Sequence, residues 1–541
     1  NSARPVLSVL AAAVGFVLLI ACVNIANLLL AASGSREREF AVRAALGAGT
    51  PRLVRQLLTE SALLALVGGV LGVAVAFLGV DILAASLADT VGSFGEISID
   101  HRALGFSVLL LAVTTIGFGL PVALRASTTG FPDLIRVGTR TVLGGRGVRV
   151  RQDLLVITQV AMALALLVSA ALMIRSLVAL SSVDAGFETD RLLTLQVSLP
   201  EQRYPSGTER AAFVQRAVDE IATAPGVRSA AAVSVIPLIG NNGNSSVTIE
   251  GHPIRDPADK IMVGSEVATP EFLGTMGIPL LEGRTFTSLD REDTGGVVII
   301  NRHMARHFWP NQSAIGKRLK FGPPDADTPW LEIIGVMGDY RQTSLDTPVR
   351  FETLRPLSQA AAPAVTFAVR TRGEAESASG DIRTAVWRAD PDLALYAVAT
   401  MDDIVETNIQ GRADLAAVLS GFGVVALVLA IGGLYGVMSY SVSRTTHEIG
   451  LRMALGAEAR TILVTVIRRS SLLVLLGLGM GGLLAWLLSE ALQGMLFDVS
   501  ALDPATYLVV AAGMMSVGLI AGLVPAARAA RIDPVVALAE E

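Results

Sequence analysis

Two histidines stand four residues apart, a spacing that a helix would place on one face. His303 and His307 therefore have the spacing of paired metal ligands in a zinc hydrolase. Such a motif needs a glutamate directly after the first histidine as general base, and this chain has Met304 there. The sequence offers no third ligand. We therefore interpret the pair as histidines on the surface of a helix, and we predict no metal site.

Motifs for phosphate binding and nucleophilic catalysis are also incomplete. Gly316-Lys317 is the only Gly-Lys pair, and a phosphate-binding loop would need a glycine at Asn311 and a serine or threonine at Arg318. Serine, aspartate and histidine are scattered without a nucleophile-elbow pattern. The chain is therefore predicted to be no enzyme by itself, to carry no nucleotide-binding domain and to use no cofactor.

The composition is that of a membrane protein. Only 17% of the 541 residues are charged, and the mean hydropathy is +0.57. A net charge of −5, without a basic stripe interleaved with aromatic residues, argues against nucleic acid as a partner. Cys22 is the single cysteine and lies in an apolar run, so we expect a small core residue and no disulfide within the chain.

Seven stretches are apolar and long enough to cross about 30 Å of hydrocarbon. They cover residues 6–32, 55–80, 104–124, 154–177, 414–440, 470–489 and 505–527. Arginine-rich connections alternate with acidic ones along the chain, and the positive-inside bias places every arginine-rich connection in the cytoplasm. Asn1 is then expected outside and Glu541 inside, with residues 178–412 on the outer side of the cytoplasmic membrane.

Polar residues inside the predicted spans allow two interpretations. Asn24 and Asn27 either form hydrogen bonds between helices or line a polar translocation path. Ionisable residues are nearly absent at mid-depth, where Glu60 is the nearest candidate, and this argues against a secondary carrier. Close helix packing is predicted at the GxxxG pairs Gly68/Gly72, Gly432/Gly436 and Gly477/Gly481.

A ten-residue segment occurs twice. Glu39–Ala48 matches Glu448–Ala457 at both charged positions and in the closing Ala-Leu-Gly-Ala. In each copy one apolar span precedes the segment and two follow it. Spans one to three and five to seven are therefore predicted to be duplicate three-helix bundles, with span four as an extra helix that leads to the outer domain.

The repeated segment is the candidate functional site. Its glutamate precedes its arginine by four residues, the favourable order for an ion pair on a helix. A short amphipathic helix between two spans has two interpretations. It is either a surface on which a partner protein exerts force, or a solvated connector whose arginines only satisfy the positive-inside bias. The candidate residues are Glu39, Arg43, Leu46 and Gly47 in the first copy and Glu448, Arg452, Leu455 and Gly456 in the second.

Residues 178–412 have the sequence pattern of an α+β domain. Strand–helix–strand units are predicted near both ends, at Leu192–Leu199, Glu209–Ala222 and Val227–Val235, and at Ala364–Arg370, Ala375–Trp387 and Leu393–Val398. They bracket an inserted subdomain near 240–360 with strands at Val263–Val267, Val297–Ile300, Lys317–Phe321 and Leu331–Val336. Gly240–Ser246 is rich in glycine and asparagine, which predicts a mobile loop.

Several segments resemble known families. Leu19–Leu30 together with Arg38–Ala48 resembles the FtsX-like permease domain, and so does Thr446–Ala457. The outer domain resembles the MacB-like periplasmic core domain at Gly186–Phe187, Leu193–Pro200, Met276–Arg284, His307–Pro310, Ile315–Arg318 and Gly335–Asp339. The order of these domains is similar to that of the duplicated orphan permeases of the ABC transporter superfamily, which implies a further helix and outer domain before Asn1.

The resemblance gives the predicted fold class, an α-helical membrane protein with seven transmembrane helices and an α+β MacB-like periplasmic core domain. The predicted domains are a first FtsX-like permease domain at 1–128, an arginine-rich cytoplasmic linker at 129–153, a transmembrane helix at 154–177, the periplasmic core at 178–412 and a second FtsX-like permease domain at 413–541.

The resemblance also implies a function. A permease subunit in the inner membrane would pass motion from a separate cytoplasmic ABC ATPase to the periplasmic domain, for export or envelope remodelling, and would act on a periplasmic or envelope partner. The repeated segments match the region that meets the ATPase. MacB-type transporters carry the ATPase on the same chain, and this sequence departs from that pattern. The alternative is an ATP-independent envelope scaffold or receptor whose outer domain binds a ligand or protein. The sequence indicates no substrate.

Overall fold

The computed structural model describes residues 3–35, 50–86, 100–102, 104–109, 111–113, 116, 144–239, 243–252, 260–444, 449, 451, 453–455 and 458–530. The chain divides into two compact units. The helical unit comprises Asn1–Val178 and Arg412–Glu541, and the sheet unit comprises Ala179–Gly411.

Ten helices and eleven strands form the framework of the described residues. The helices are α1 (Ala3–Ser35), α2 (Thr50–Ser86), α3 (Gly144–Ser181), α4 (Gly207–Ala222), α5 (Phe272–Met276), α6 (Arg302–Phe308), α7 (Ser379–Ala389), α8 (Met401–Arg444), α9 (Ala459–Leu492) and α10 (Pro504–Ala530). The strands are β1 (Leu192–Ser198), β2 (Val227–Val233), β3 (Asn244–Ile249), β4 (Ile261–Ala268), β5 (Leu280–Gly283), β6 (Val297–Asn301), β7 (Arg318–Phe321), β8 (Leu331–Met337), β9 (Glu352–Pro356), β10 (Ala364–Thr371) and β11 (Leu395–Thr400).

The helical unit contains helices that can span a membrane. Within the described residues, five are long and apolar enough, namely Val6–Ile25, Gln152–Ser181, Met401–Ser443, Ala459–Met495 and Pro504–Ala530. The apolar helical stretches Ala65–Val80 and Leu104–Val113 are shorter. A multi-pass membrane protein is thereby supported, and the count of seven spans stays a prediction.

Helix α3 is the centre of the helical unit. In its most apolar stretch 67% of the residues are buried, against 22–33% in the other four candidate spans. Its side chains contribute Val160, Leu166 and Met173 to a core that also contains residues of α1, α8, α9 and α10. The helix that the sequence presents as an addition to two bundles therefore shares one core with α1, α8, α9 and α10.

Glycines permit the closest approach to α3. A Cβ atom at Gly477 would lie 2.6 Å from Val160 Cβ, and one at Gly481 would lie 2.8 Å from the carbonyl oxygen of Ala161. Close packing at this pair is confirmed. For Gly68/Gly72 and Gly432/Gly436 a Cβ would meet nothing described within 4 Å, so close packing there stays a prediction. Those glycines lie on faces without a described neighbour.

Four strands and two helices of the sheet unit form a two-layer arrangement of a sheet covered by helices. The strand order is β11-β1-β10-β2, and each neighbour is antiparallel, with Phe367 of β10 opposite Leu195 of β1 and Ala232 of β2. Helices α4 and α7 cover the sheet with Phe213 and Ile382 among their buried residues. This β-α-β-β-α-β arrangement is ferredoxin-like.

Six of the seven described strands that lie between β2 and β10 in the sequence form a closed ring; the seventh, β5, lies outside it. Their pairings run β4-β3-β7-β8-β6-β9 and return to β4. Val247, Val298 and Ile333 are buried in its core. Strand β4 of the ring pairs with β2 of the ferredoxin-like sheet at Val233 and Ala268, and Val267 of β4 packs in the core of that sheet. Among the described strands, β5 pairs only with β8, so its other edge has no described partner.

Predicted and observed elements agree where apolar alternation is clear. All six elements of the two strand–helix–strand units and the four strands predicted for the subdomain are present, with shifted ends. The predicted loop over Gly240–Ser246 is wrong for its last three residues. Asn244, Ser245 and Ser246 begin β3, because their backbones pair with Gly264, Val263 and Met262 of β4 although their side chains are polar. Residues 240–242 lie outside the described part.

Candidate functional site

Most of the predicted coupling residues lie outside the described residues. These are Glu39, Arg43, Leu46, Gly47, Glu448, Arg452 and Gly456. Leu455 is described, and 81% of it is exposed. Its backbone N–H donates to the carbonyl oxygen of Leu451 at 3.0 Å, which closes a helical turn. The ion pairs expected within each repeated segment therefore stay predictions.

The described residues of the second repeated segment have two apolar faces. Ile449 is buried, and Met453, one turn later, packs beside it against Ile462 of α9 and Ala529 of α10. Leu451 and Leu455 are also four residues apart, and both are exposed, at 47% and 81%. One face of this turn is thus packed against two membrane helices, and the other presents exposed leucines outside that cluster.

A hydrogen-bonded junction of side-chain amides joins α1, α3 and α8. Asn24 Nδ2 donates to the carbonyl oxygen of Leu429 at 2.7 Å, and Gln159 Nε2 donates to Asn24 Oδ1 at 3.1 Å. A Cβ atom at Gly433 would lie 2.2 Å from Gln159 Oε1 and 2.4 Å from Asn24 Oδ1. For Asn24, the structure therefore supports interhelical hydrogen bonding, and Gly433 makes room for it.

Asn27 differs from Asn24. It is 5% exposed, and neither atom of its amide has a hydrogen-bond partner among the described residues. Gln159 Oε1 and Ser439 Oγ are buried without described partners as well. Burying a polar group without a hydrogen bond costs free energy, so the Asn27 amide is expected to lower the stability of the helical unit.

Charged contacts hold the described helices together at two further points. Arg469 of α9 donates to Asp153 of α3 at 2.9 Å and to Ser441 of α8 at 3.0 Å. Elsewhere, Arg175 of α3 pairs with Asp503, whose carboxylate also accepts the backbone N–H of Thr506 at 2.8 Å and so caps α10. Helix α3 participates in both contacts.

The predicted surface histidines take part in an aromatic cluster in the sheet unit. His303 stacks on Phe351 with 5.1 Å between ring centroids, and His307 lies 5.0 Å from the same ring. His252 packs at right angles to Phe308. No group of three or more potential metal ligands occurs within the described ranges.

A carboxylate is buried in the sheet unit without a basic partner in the part of the chain that the structure describes. Glu266 of β4 is 1% exposed, accepts a hydrogen bond from Ser234 Oγ and has no partner at Oε1 among the described residues. Burial raises the pKa of Glu266 to about 7. Burial, together with the nearby carboxylates of Glu352 and Glu266, raises the pKa of Tyr340 well above its usual value.

Gln159, Gly433 and the Asp153–Arg469 pair were not predicted from the sequence. Gln159 was visible as a polar residue in the fourth span. Gly433 follows the predicted GxxxG glycine Gly432 directly. Which of the two faces α3 depends on the rotation of α8 about its axis, which the sequence does not give. The partners of Asp153 are distant in sequence, so no local pattern could reveal them.

Two family models match the chain. The MacB-like periplasmic core domain matches residues 155–385, and the FtsX-like permease C-terminal domain matches residues 11–131 and 420–534. The two permease matches flank the core match, and each includes one of the repeated segments.

Curated relatives include macrolide export ATP-binding/permease proteins named MacB. That of Mannheimia succiniciproducens is 25% identical over 56% of this chain and 46% of the relative, and that of Marinobacter nauticus is 26% identical over 49% and 41%. This chain thus spans less than half of the length of these relatives. The solved periplasmic region of MacB from Actinobacillus actinomycetemcomitans aligns with 41% of this chain and 94% of its own, at 11% identity and a TM-score of 0.29. By its two family matches, the chain is an FtsX/MacB-like permease.

Proposed function

We propose that this chain is the permease subunit of an ABC-type export or envelope-remodelling system. A separate cytoplasmic ATPase moves the repeated segments, and the chain passes this motion to a periplasmic domain formed by residues 178–412. The observation that carries the proposal is the turn with Leu451 and Leu455 exposed on one face and Ile449 and Met453 packed on the other. A partner that binds the exposed leucines displaces α9 and α10 directly.

The packing of the helical unit supports a route for this motion. Helix α9 contacts α3 without intervening side chains at Gly477 and Gly481. Helix α3 is in turn hydrogen-bonded to α1 and α8 through Gln159 and Asn24. The chain leaves the helical unit through α3 and re-enters it through α8. We infer that displacement of α9 reaches α3 and α8. We also infer that the chain has seven spans, which place the C-terminus in the cytoplasm.

The proposal is tested by purifying the tagged full-length protein from native membranes. An ABC ATPase is expected to co-purify with it, and Leu451→Glu together with Leu455→Glu should abolish the association, because two charges replace the apolar face. Arg43→Glu and Arg452→Glu should also abolish the association with the ATPase if the predicted ion pairs form part of the same surface. Leu289→Glu is the matched control, since Leu289 is 71% exposed in the sheet unit.

Recovery without any ATPase, or an association that survives the leucine substitutions, would overturn the proposal. The former result would select the alternative, an ATP-independent envelope receptor or scaffold. An open groove in the sheet unit favours that alternative as a second candidate.

A further inference from the structure

A groove of about 740 Å³ opens in the sheet unit between β5 and the segment formed by α6 and the turn after it. Leu281 and Glu282 of β5 line one wall, Arg306 and Trp309 line the other, and Val336 of β8 forms part of the floor. This volume is in the range of about 300–1,000 Å³ that is usual for sites that bind small molecules. The groove lies within one unit and needs no second part of the chain.

The β5 wall comes from the segment Met276–Arg284, most of which has a structural role. Gly277 ends α5 with φ +71°, and Gly283 has φ +77° at a position where a Cβ would lie 2.1 Å from the carbonyl oxygen of Ile334. Arg284 makes two hydrogen bonds of 2.8 Å to Asp290. These contacts fix β5 and leave Leu281 and Glu282 to line the groove.

The opposite wall is equally well fixed. Asn301 caps α6 by accepting the backbone N–H of Met304, and Asp339 binds Arg302 at 3.0 Å and the backbone N–H of His303 at 2.7 Å. Trp309 is 6% exposed and packs at right angles to His252. The groove is thus preformed, which lowers the entropic cost of binding.

Hydrogen-bond donors are in excess along this wall. Arg306, one turn after Arg302, has no ion pair among the described residues, and the side chains of Asn311 and Gln312 and the indole N–H of Trp309 have no described partners. The opposing carboxylate of Glu282 already accepts a hydrogen bond from Ser313 Oγ at 2.9 Å. Arg306, as a lining arginine without a described ion pair, therefore provides the positive charge for a ligand.

We propose that this groove binds a small organic anion with an apolar body. The acid group pairs with Arg306 and accepts hydrogen bonds from the neighbouring amides and indole, while the apolar body lies on Leu281 and Val336. A neutral ligand leaves the donors unpaired and a cation is repelled by Arg306, so both bind more weakly. This inference does not depend on coupling to an ATPase, because binding at equilibrium needs no transport.

The test uses the full chain in lipid nanodiscs and the photoreactive acid 4-benzoylbenzoate. After irradiation, mass spectrometry should find the label within residues 280–284 or 302–314. The neutral methyl ester and the amine 4-(aminomethyl)benzophenone serve as probes of the same shape, and each should label these peptides at least severalfold less than the acid does.

Arg306→Gln should weaken labelling of these peptides by the acid about tenfold, as the loss of one charge-assisted hydrogen bond predicts. Trp309→Phe keeps an aromatic ring and removes the indole donor, so a smaller loss is expected. Arg383→Gln is the matched control, because Arg383 is an exposed arginine on α7 outside the groove. Equal labelling by the three probes, or equal labelling of the Arg306→Gln and Arg383→Gln variants, would overturn the proposal.

Discussion

Gln159 of α3 and Gly433 of α8 approach so closely that a single methyl group would not fit between them. The added carbon at position 433 would lie 2.2 Å from Gln159 Oε1. Because the same amide also bonds Asn24 of α1, one glycine determines whether three helices can share a hydrogen-bonded junction.

Gly433→Ala is therefore expected to destabilise the helical unit by about 1–3 kcal/mol, the usual cost of overpacking a closely packed site. The measurement is the thermal unfolding midpoint of the full chain in detergent. Gly432→Ala is the control, because a Cβ there meets nothing described within 4 Å. If both variants unfold at the same temperature, α8 does not have this rotation in the folded protein.

Asn24 and Asn27 are expected to respond in opposite directions to replacement by leucine. Asn24→Leu removes bonds to Gln159 and to the backbone of Leu429, at a cost of about 1–2 kcal/mol. Asn27→Leu removes a buried amide without a described partner, and the protein should gain about 1 kcal/mol. The same unfolding assay compares them. A loss of stability in both variants would show that Asn27 has a partner in the folded protein.

The stability of the sheet unit is expected to fall as the pH rises from about 4.5 to about 7. Folded Glu266 keeps its proton over this window while the unfolded chain has released it, so the unfolded state binds fewer protons and stability decreases. The pKa shift limits the total change to about 3 kcal/mol. Hydrogen exchange of β4 in the full chain, corrected for intrinsic rates, measures it.

Glu266→Gln should remove this slope and protect β4 more strongly at pH 8, because an amide pays no ionisation cost on burial. Glu271→Gln, at an exposed carboxylate before α5, should keep the slope. If the Glu266→Gln variant retains the pH dependence of the unmodified protein, another group is responsible for it.

The two sides of the membrane can be assigned with single thiols. Cys22→Ser removes the only cysteine, and Leu289→Cys or Leu455→Cys then adds one at a residue that is 71% or 81% exposed. In spheroplasts, a membrane-impermeant maleimide should label position 289 at once and position 455 only after permeabilisation. Immediate labelling of position 455 would contradict the seven-span topology.

Local patterns were sufficient for much of the architecture. Long apolar stretches predicted α3, α8, α9 and α10, because length and hydropathy are sufficient to define such helices. Alternation likewise predicted β1, and the repeated strand–helix–strand order predicted β10. Strand β3 was missed because Asn244–Ser246 has the composition of a loop, and its pairing with β4 is decided by residues far along the chain.

The candidate sites depended more on tertiary contacts. His303 and His307 have metal-ligand spacing, but Phe351, whose ring contacts both, follows more than forty residues later. The donor-rich groove combines segments from β5 and α6, whose proximity requires the shared neighbour β8. Spacing alone could not indicate either arrangement.

The ring of six strands begins after Val233 and ends before Ala364, and those two ends lie side by side, because Val233 pairs with Thr366 across β2 and β10. An insertion whose ends meet at adjacent strands behaves as a cassette, since a short hairpin turn could close the gap if it were removed. Evolution can therefore exchange or remodel the ring while the ferredoxin-like frame stays intact. The groove with Arg306 belongs to this cassette, so substitutions in the groove need not alter the membrane helices.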